Sequence, residues 1–378
     1  MFFYYRVNCP FDNMKKVEYN LFLDEGWTTV IKNGKKLYYK GYSTECILED
    51  SLEKIINENY KPAGIWCVLY NEQVFYPIMR GYPLYRLDNG YTNIPGLSDQ
   101  VISSEADINL DQTIISLDDA AELVGEILID NILKFLNYNE ISNLNVLYSM
   151  GLDSLTIWAL VDYLKKDYNL HICIPKPGKN IDFMGRKRDY THSLIKHLDK
   201  HCWGYKMTSL YKQKNYYTTG FYSERIQLRE VTNGHAIAKF YKTDLHKMVN
   251  KNDYLYYFLQ RPNNKINTCD TNFTSEKECK DYCFNSIFHD YQMWHIDNNF
   301  HLSPFYDIRI SAICYRLSLE DLVKNTANGI LQRKIIEKYN PQLLSLLADY
   351  KNEGHIYKNF LKNWNKIKLN ESTCINIS

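Results

Sequence analysis

The chain has 378 residues, and its 45 lysines and arginines nearly balance its 44 aspartates and glutamates, giving a formal net charge of +1. Such a protein has no global field to draw it onto a polyanion, so nucleic-acid binding would require a local basic patch. The hydrophobic content of 45%, with 15% aromatic residues, supports a sizeable core and excludes wholesale disorder. The length predicts about two domains, and no apolar run approaches the roughly 18 residues of a membrane span.

The amino-terminal sequence and the cysteines indicate the compartment. Residues 1–16 lack both a basic segment and a small-residue cleavage site, so we expect a first strand, no signal peptide and a cytoplasmic location. The ten cysteines are scattered, and we expect most of them to be buried thiols. The densest group, Cys269, Cys279 and Cys283, matches no common zinc spacing, so core cysteines are favoured over a metal site.

Residues 1–97 are predicted to form mainly strands. The dipeptide Asn33-Gly34 suits the two positive-φ positions of a type I′ turn, which predicts a β-hairpin of residues 27–32 and 35–40. Apolar, aromatic-rich segments on both sides of Asn71-Glu72 predict a second hairpin. Apolar residues at helical spacing predict a helix over residues 51–58. Together these elements indicate an antiparallel sheet with helical cover.

The later part of the chain shows a different periodicity. Residues 98–116 are acidic and polar and are the predicted linker, so we place a domain boundary at residue 110. Ser116 and Asp119 form a capping pair before a long helix. The elements that follow are a strand at 144–148, a helix at 153–166, a strand at 171–175 and a helix at 190–201. This αβαβα order predicts a parallel sheet covered on both faces.

The turn from Ser149 to Ser154 is the first candidate site. A short turn that opens a helix directs unpaired backbone N–H groups and the positive end of the helix dipole at a ligand, which is commonly a phosphate. Ser149 and Ser154 add hydroxyl groups, and Gly151 allows close approach of the backbone. Asp153 suits a Mg²⁺ ion that bridges to phosphate oxygens, or else it simply caps the helix.

The hexapeptide Ser149-Met150-Gly151-Leu152-Asp153-Ser154 resembles the Ser-Gly-Gly-x-Asp-Ser loop of the ATP pyrophosphatase (PP-loop) superfamily, with Met150 in place of the first glycine. Four further stretches are similar to motifs of its asparagine synthetase branch, which includes β-lactam synthetase. In chain order they are residues 64–66 with 80–85, residues 219–224, residues 304–309, and residues 331–333 with 340–341 and 350–354.

The resemblance implies an α/β fold of two domains. Residues 1–110 would form a glutaminase-like (Ntn-type) α+β domain built on antiparallel sheet. Residues 111–378 would form a parallel-sheet, helix-rich PP-loop synthetase domain. A working glutaminase of this kind uses a cysteine at position 2 as its nucleophile. Phe2 stands there, and Cys9 lies within a predicted strand before Pro10, so we expect no glutaminase activity.

The resemblance also implies roles for individual residues. The expected ATP-binding residues are Leu147, Ser149, Gly151, Asp153, Ser154, Thr219 and Gly220. Asp153 and Glu224 would bind Mg²⁺, although Glu224 replaces an aspartate and is otherwise read as a surface carboxylate. Lys351 would be catalytic, because a fixed cation stabilises charge on the α-phosphate and the oxyanion.

Other positions depart from the branch or carry no chemical role. Phe221 and Arg225 replace acidic residues and alter the expected metal shell and substrate pocket. Asp307 and Arg309 are expected to form a structural ion pair or loop anchor.

Three functions follow as hypotheses. The leading one is an ATP- and Mg²⁺-dependent ligase that adenylates a small-molecule or peptide carboxylate and transfers it to an amine, releasing AMP and pyrophosphate. The second directs adenylation at a nucleotide or nucleic-acid base, supported by basic residues within 176–188 that otherwise form a solvated loop. The third is a degenerate synthetase fold that binds without catalysis. The sequence does not indicate an oligomeric state.

Overall fold

The structure is a computed structural model. It describes residues 3–5, 11, 14–24, 26–79, 84–88, 90–94, 96–102, 110–149, 151–164, 169–174, 216–220, 223–259, 269, 271–289, 301–347 and 373–377. The helix predicted at 190–201 lies outside these ranges.

The strands, in chain order, are β1 Phe3–Tyr5, β2 Lys15–Glu18, β3 Leu21–Leu23, β4 Thr28–Lys32, β5 Lys35–Ser43, β6 Gly64–Tyr70, β7 Gln73–Phe75, β8 Tyr85–Leu87, β9 Gly90–Thr92, β10 Asn143–Leu147, β11 Asn169–Ile174, β12 Tyr216–Thr218, β13 His301–Leu302 and β14 Thr373–Ile377.

The α-helices, in chain order, are α1 Leu52–Glu58, α2 Leu117–Tyr138, α3 Leu152–Tyr163, α4 Ser223–Ile226, α5 Val231–Phe240, α6 Leu245–Met248, α7 Tyr254–Leu259, α8 Glu276–Asn285, α9 Ile308–Tyr315, α10 Leu319–Asn328 and α11 Ile330–Tyr339. Short 3-10 helices span Glu49–Ser51, Ser286–His289 and Pro341–Leu346. Among the helices in the described ranges, none combines the length and the apolar character that crossing a bilayer requires. The prediction of a mixed α/β chain with antiparallel strands first and a helix-rich part later is confirmed.

Both predicted hairpins are present in the antiparallel part. Strands β4 and β5 pair across Asn33-Gly34, whose φ angles are 51° and 73°. Strands β6 and β7 pair across Asn71-Glu72, with φ angles of 51° and 63°. Positive φ at both central positions is the requirement of a type I′ turn, so the turn chemistry fixes these two registers.

The antiparallel strands form two sheets, with strand orders β4-β5-β6-β7 and β2-β3-β1-β9-β8. Strand β6 is buried on both faces. Trp66 and Val68 pack in a cluster with Leu52 and Ile55 of α1, while Cys67 and Leu69 pack in a separate cluster with residues of the second sheet. The arrangement therefore has three layers, α1 and the two sheets, which is one sheet more than the sequence predicts.

The first residues of the predicted linker, 98–116, belong to a sheet. Residues 98–102 continue the second sheet, because the Arg86 N–H donates to the Gln100 carbonyl (2.8 Å) and the Ile102 N–H donates to the Leu84 carbonyl (2.7 Å). Ile102 packs against the cluster between the sheets. Its apolar side chain explains why this stretch joins the sheet.

The third sheet is parallel, with the strand order β13-β12-β10-β11-β14. The first of these strands along the chain, β10, lies in the middle, with β11 on one side and β12 on the other. The strand order therefore reverses at the carboxyl end of β10. In open α/β sheets this switch point is where ligands bind.

Helix α3 contacts β10 and β11, and Phe135 of α2 lies edge-on to Tyr216 of β12 at 5.9 Å, so both helices pack against this sheet. The Ser116 hydroxyl accepts a hydrogen bond from the Asp119 N–H (3.1 Å), which confirms the predicted cap of α2. Helix α11 packs against both α2 and α3.

The antiparallel part and the parallel sheet contribute to one apolar core. Tyr42, Ile65 and Met79 belong to the same buried cluster as the helices beside the parallel sheet. The Tyr42 ring lies edge-on to Phe135 at 5.7 Å, and its hydroxyl accepts from the Ser303 N–H at 2.9 Å. Burial raises the pKa of Tyr42, so the phenol stays protonated.

Candidate functional site

The loop that follows β10 is held together by the Ser154 hydroxyl. This hydroxyl accepts from the Ser149 N–H (3.1 Å) and donates to the Gly151 carbonyl (3.0 Å). The Ser154 hydroxyl has only one proton, which it gives to the Gly151 carbonyl. In the 3.1 Å contact between the Ser149 and Ser154 hydroxyls, Ser149 is therefore the donor. Gly151 is the N-cap of α3 with φ −93° and no side chain to cap the first N–H groups. Ser154 is therefore a buried scaffold of the loop.

The segment Thr219-Gly220 lies against this loop. It follows β12, and its Thr219 N–H donates to the carbonyl of Leu302 in β13 (3.1 Å). A Cβ atom at Gly220 would lie only 2.3 Å from the Asp153 carbonyl carbon and 2.4 Å from the Ser154 nitrogen. Only glycine permits this close approach of two backbones. The two segments that the resemblance assigns to one nucleotide site are thus adjacent.

Asp153 is partly exposed, and one of its carboxylate oxygens is engaged by two side chains. Its Oδ1 atom accepts hydrogen bonds from the Arg229 guanidinium and from Gln332 Nε2, the latter at 2.8 Å. Gln332 is fully buried and also donates to the Ser223 hydroxyl at 2.8 Å. Ser223 and Gln332 lie within the motif-like stretches 219–224 and 331–333 but have no predicted role, and Arg229 lies in none of the motif-like stretches.

Glu224 lies on the other side of the same guanidinium. Its Oε1 atom is 3.7 Å from Arg229 Nη1, and its side chain is 62% exposed. Desolvation by the surrounding protein raises the pKa of Glu224, with smaller contributions in the same direction from Asp153 and Glu230, while Arg229 opposes them.

The predicted magnesium ligands therefore do not fit a metal ion as they are arranged. Asp153 and Glu224 share the Arg229 guanidinium, which lies where a bridging cation would have to bind. Within the described ranges, no group of three histidine, cysteine, aspartate or glutamate side chains could hold a metal ion. The positive charge at this position comes from an arginine.

The remaining predicted positions are distributed as follows. Leu147 ends β10 and is buried, at the same edge of the sheet as Ser149. Arg225 is turned to Glu230 (Nη2 to Oε1, 2.8 Å) and to the Ser286 carbonyl (3.1 Å). It therefore serves a structural ion pair. The predictions for Phe2, Cys9, Met150, Phe221, Lys351 and the basic residues of 176–188 lie outside the described residues.

Asp307 and Arg309 form the structural anchor that the sequence predicts. Asp307 is fully buried, caps α9 through the Arg309 N–H (2.9 Å) and binds the Arg309 side chain (Nη2 to Oδ2, 2.6 Å). Asn131 of α2 donates to the Pro304 carbonyl (2.9 Å) and to Asp307 (3.2 Å). The pair fixes the segment after β13 onto α2.

The predicted core cysteines are confirmed at Cys279 and Cys283, both fully buried on α8. A contact with Cys279 and burial raise the pKa of Cys283, which keeps the thiol protonated. Cys269 is partly exposed.

A cavity of about 400 Å³ lies in the antiparallel part. Its lining includes Tyr60, Trp66, Tyr76, Lys61 and Arg86. Among the described residues that line it, no nucleophile is paired with a base.

In comparisons with known proteins, no family model matches the sequence, and no curated protein matches it.

Proposed function

We propose that this protein is an ATP-dependent, AMP-forming carbon–nitrogen ligase. Its substrates are a small-molecule or peptide carboxylate and an amine that does not derive from glutamine hydrolysis. One observation carries the proposal: the loop of Ser149–Ser154 and the Thr219-Gly220 segment meet in backbone contact where the strand order of the parallel sheet reverses. Both segments resemble nucleotide-binding motifs of the asparagine synthetase branch, and the switch point is the general ligand position of such sheets.

The reaction has two steps. A carboxylate oxygen of the substrate attacks the α-phosphorus of ATP, and the bond to the bridging oxygen breaks to release pyrophosphate. The amine nitrogen then attacks the acyl carbon of the adenylate, loses a proton and displaces AMP. The enzyme therefore needs a place for pyrophosphate, a place for the nucleoside and positive charge near the α-phosphate.

Residues of the described site supply the first two requirements. The start of α3 offers the pyrophosphate backbone N–H groups and the positive end of a helix dipole, within the loop that Ser154 holds in shape. The resemblance assigns backbone groups at Leu147, Thr219 and Gly220 to the nucleoside. For the third requirement, the resemblance assigns Lys351 to stabilise the charge on the α-phosphate and the oxyanion.

The antiparallel part bears on where the amine substrate comes from. Two stacked antiparallel sheets with one flanking helix support a glutaminase-like region. In the proposed reaction the amine is a substrate in its own right, as in the β-lactam synthetases whose branch the sequence resembles.

Pyrophosphate release from ATP, measured against a panel of carboxylates and amines, tests the proposal. We expect release that depends on both a carboxylate and an amine, and its loss in Lys351→Ala. Asp307→Asn, which alters a buried anchor outside the loop, serves as a control for general loss of folding. Release that is unchanged in Asp153→Ala, or silence of a folded, ATP-binding protein across the panel, would count against a ligase.

A second candidate function is nucleotide binding without turnover. The ion pair between Arg229 and Asp153 favours it, because it engages the carboxylate that the resemblance assigns to the metal. This candidate predicts a rise in melting temperature with ATP and no pyrophosphate release with any substrate pair.

A further inference from the structure

Arg229 occupies the centre of the site. Its side chain is 9% exposed, and its two terminal nitrogens are directed at different carboxylates, Nη2 at Asp153 and Nη1 at Glu224. The Asp153 oxygen that it contacts also accepts from Gln332. The guanidinium is therefore held between α3 and α4 by two acidic side chains on separate elements.

The backbone fixes this position through an unusual turn. Leu228 adopts φ +54° although it is a leucine, and it is fully buried. Its N–H donates to the Arg225 carbonyl and the Arg229 N–H donates to the Glu224 carbonyl, each at 2.9 Å, which is the Schellman pattern that ends a helix. Glycine is the usual residue there, and a non-glycine residue in this region is strained. The turn reverses the chain so that Arg229 lies beside Glu224.

A divalent ion between these carboxylates would have to displace the guanidinium. Arginine keeps its charge at all physiological pH values, and its planar fork suits both carboxylate and phosphate oxygens. Displacement would leave a nearly buried cation without its acidic partners, which is unfavourable. The other arginine of this segment, Arg225, is engaged by Glu230 and points elsewhere.

From this geometry we infer that Arg229 is the built-in cation of the site: it takes the place of a divalent metal between Asp153 and Glu224 and binds the polyphosphate of the nucleotide directly. Nucleotide binding then requires no metal ion on these two carboxylates. The inference rests on the proposed function, because it assumes that a polyphosphate binds at the start of α3.

Calorimetric titration with inorganic pyrophosphate and with ATP, each in excess EDTA and in excess Mg²⁺, tests the inference on the unmodified protein. We expect the dissociation constant for each probe to change by less than about threefold between the two conditions. Binding that occurs only with Mg²⁺ would overturn the inference and leave the proposed function intact. Absence of binding under both conditions would overturn both.

Two single-residue variants test whether metal-independent binding depends on Arg229. Arg229→Gln should weaken binding in EDTA by about tenfold or more, because it removes a charge-assisted contact to phosphate. The matched control is Arg225→Gln, which removes an arginine of the same segment and should leave binding unchanged. Equal weakening in both variants would refute a specific role for Arg229. If Arg229→Gln does not fold, as judged by circular dichroism, the comparison of EDTA with Mg²⁺ on the unmodified protein decides alone.

Titration with Mn²⁺ in the absence of nucleotide gives an independent readout. Relaxation of water protons should detect no Mn²⁺ bound by Asp153 in the unmodified protein. Tight Mn²⁺ binding that disappears in Asp153→Asn would mean that the carboxylates hold a metal and that Arg229 does not replace it.

Discussion

Gly220→Ala is the sharpest test of how the site is built. The added Cβ would lie 2.3 Å from the Asp153 carbonyl carbon, 2.4 Å from the Ser154 nitrogen and 2.6 Å from the Asp153 oxygen. Carbon atoms in favourable contact are about 3.5–4 Å apart, so one of the two backbones must move by about 1 Å. All three atoms belong to the first turn of α3, and no change of rotamer can move them aside.

The magnitude follows from this geometry. Extra carbon atoms in a packed site cost about 1–3 kcal/mol, and we expect the upper end because the obstacle is backbone. For a domain of this size, each kcal/mol lowers the melting temperature by about 2–4 °C, so we expect a fall of about 6–12 °C. Urea unfolding gives the free energy directly, and titration with ATP measures the accompanying loss of nucleotide binding.

Gly151→Ala is the matched control, because it makes the same change in the same loop. Its Cβ would lie 3.4 Å from the Ser149 hydroxyl oxygen, and its φ of −93° is open to any residue. We expect a change in the free energy of unfolding of less than about 1 kcal/mol. If Gly220→Ala were as stable as Gly151→Ala and bound ATP normally, close contact of the two backbones would not be a requirement of the site.

Two further predictions concern stability away from the loop. Asp307→Ala removes the buried carboxylate that caps α9 and binds the partly exposed Arg309 side chain, so we expect a loss of about 2–3 kcal/mol in urea unfolding; a loss below about 1 kcal/mol would contradict an anchoring role. Burial, together with His246, lowers the pKa of His235 below its usual value of 6.5. The unfolded chain then binds the proton first, so stability should fall as the pH drops below about 6.5, and His235→Asn should flatten that fall. An identical pH profile in the variant would exclude His235 as its cause.

The sequence predicts best what depends on neighbouring residues. The turns at Asn33-Gly34 and Asn71-Glu72 and the cap at Ser116 are determined by chemistry within a few positions, and the structure agrees with each of them. The second antiparallel sheet was not predicted. Strand β6 is an uninterrupted apolar run, which is typical of a strand buried on both faces, and this signal could have revealed the extra layer.

The candidate site also contains a part that neighbouring residues determine and a part that depends on distant residues. Ser149, Gly151 and Ser154 are close in sequence, so their loop could be predicted from its spacing. Arg229 and Gln332 reach Asp153 from 76 and 179 residues away. Contacts between residues so far apart in the chain produce no periodic pattern in the sequence. A single arginine after a short helix cannot be distinguished in the sequence from a solvated surface residue. Only the fold brings these side chains to Asp153.

The contact of Tyr42 with Phe135 and Ser303 bears on why the antiparallel part belongs to this protein. These residues connect β5 with α2 and with the end of β13, inside one continuous core. A shortened chain that began after residue 110 would expose the Phe135 ring and deprive the Ser303 amide of its acceptor. The antiparallel part is therefore needed to complete the hydrophobic core, whether or not it takes part in any reaction.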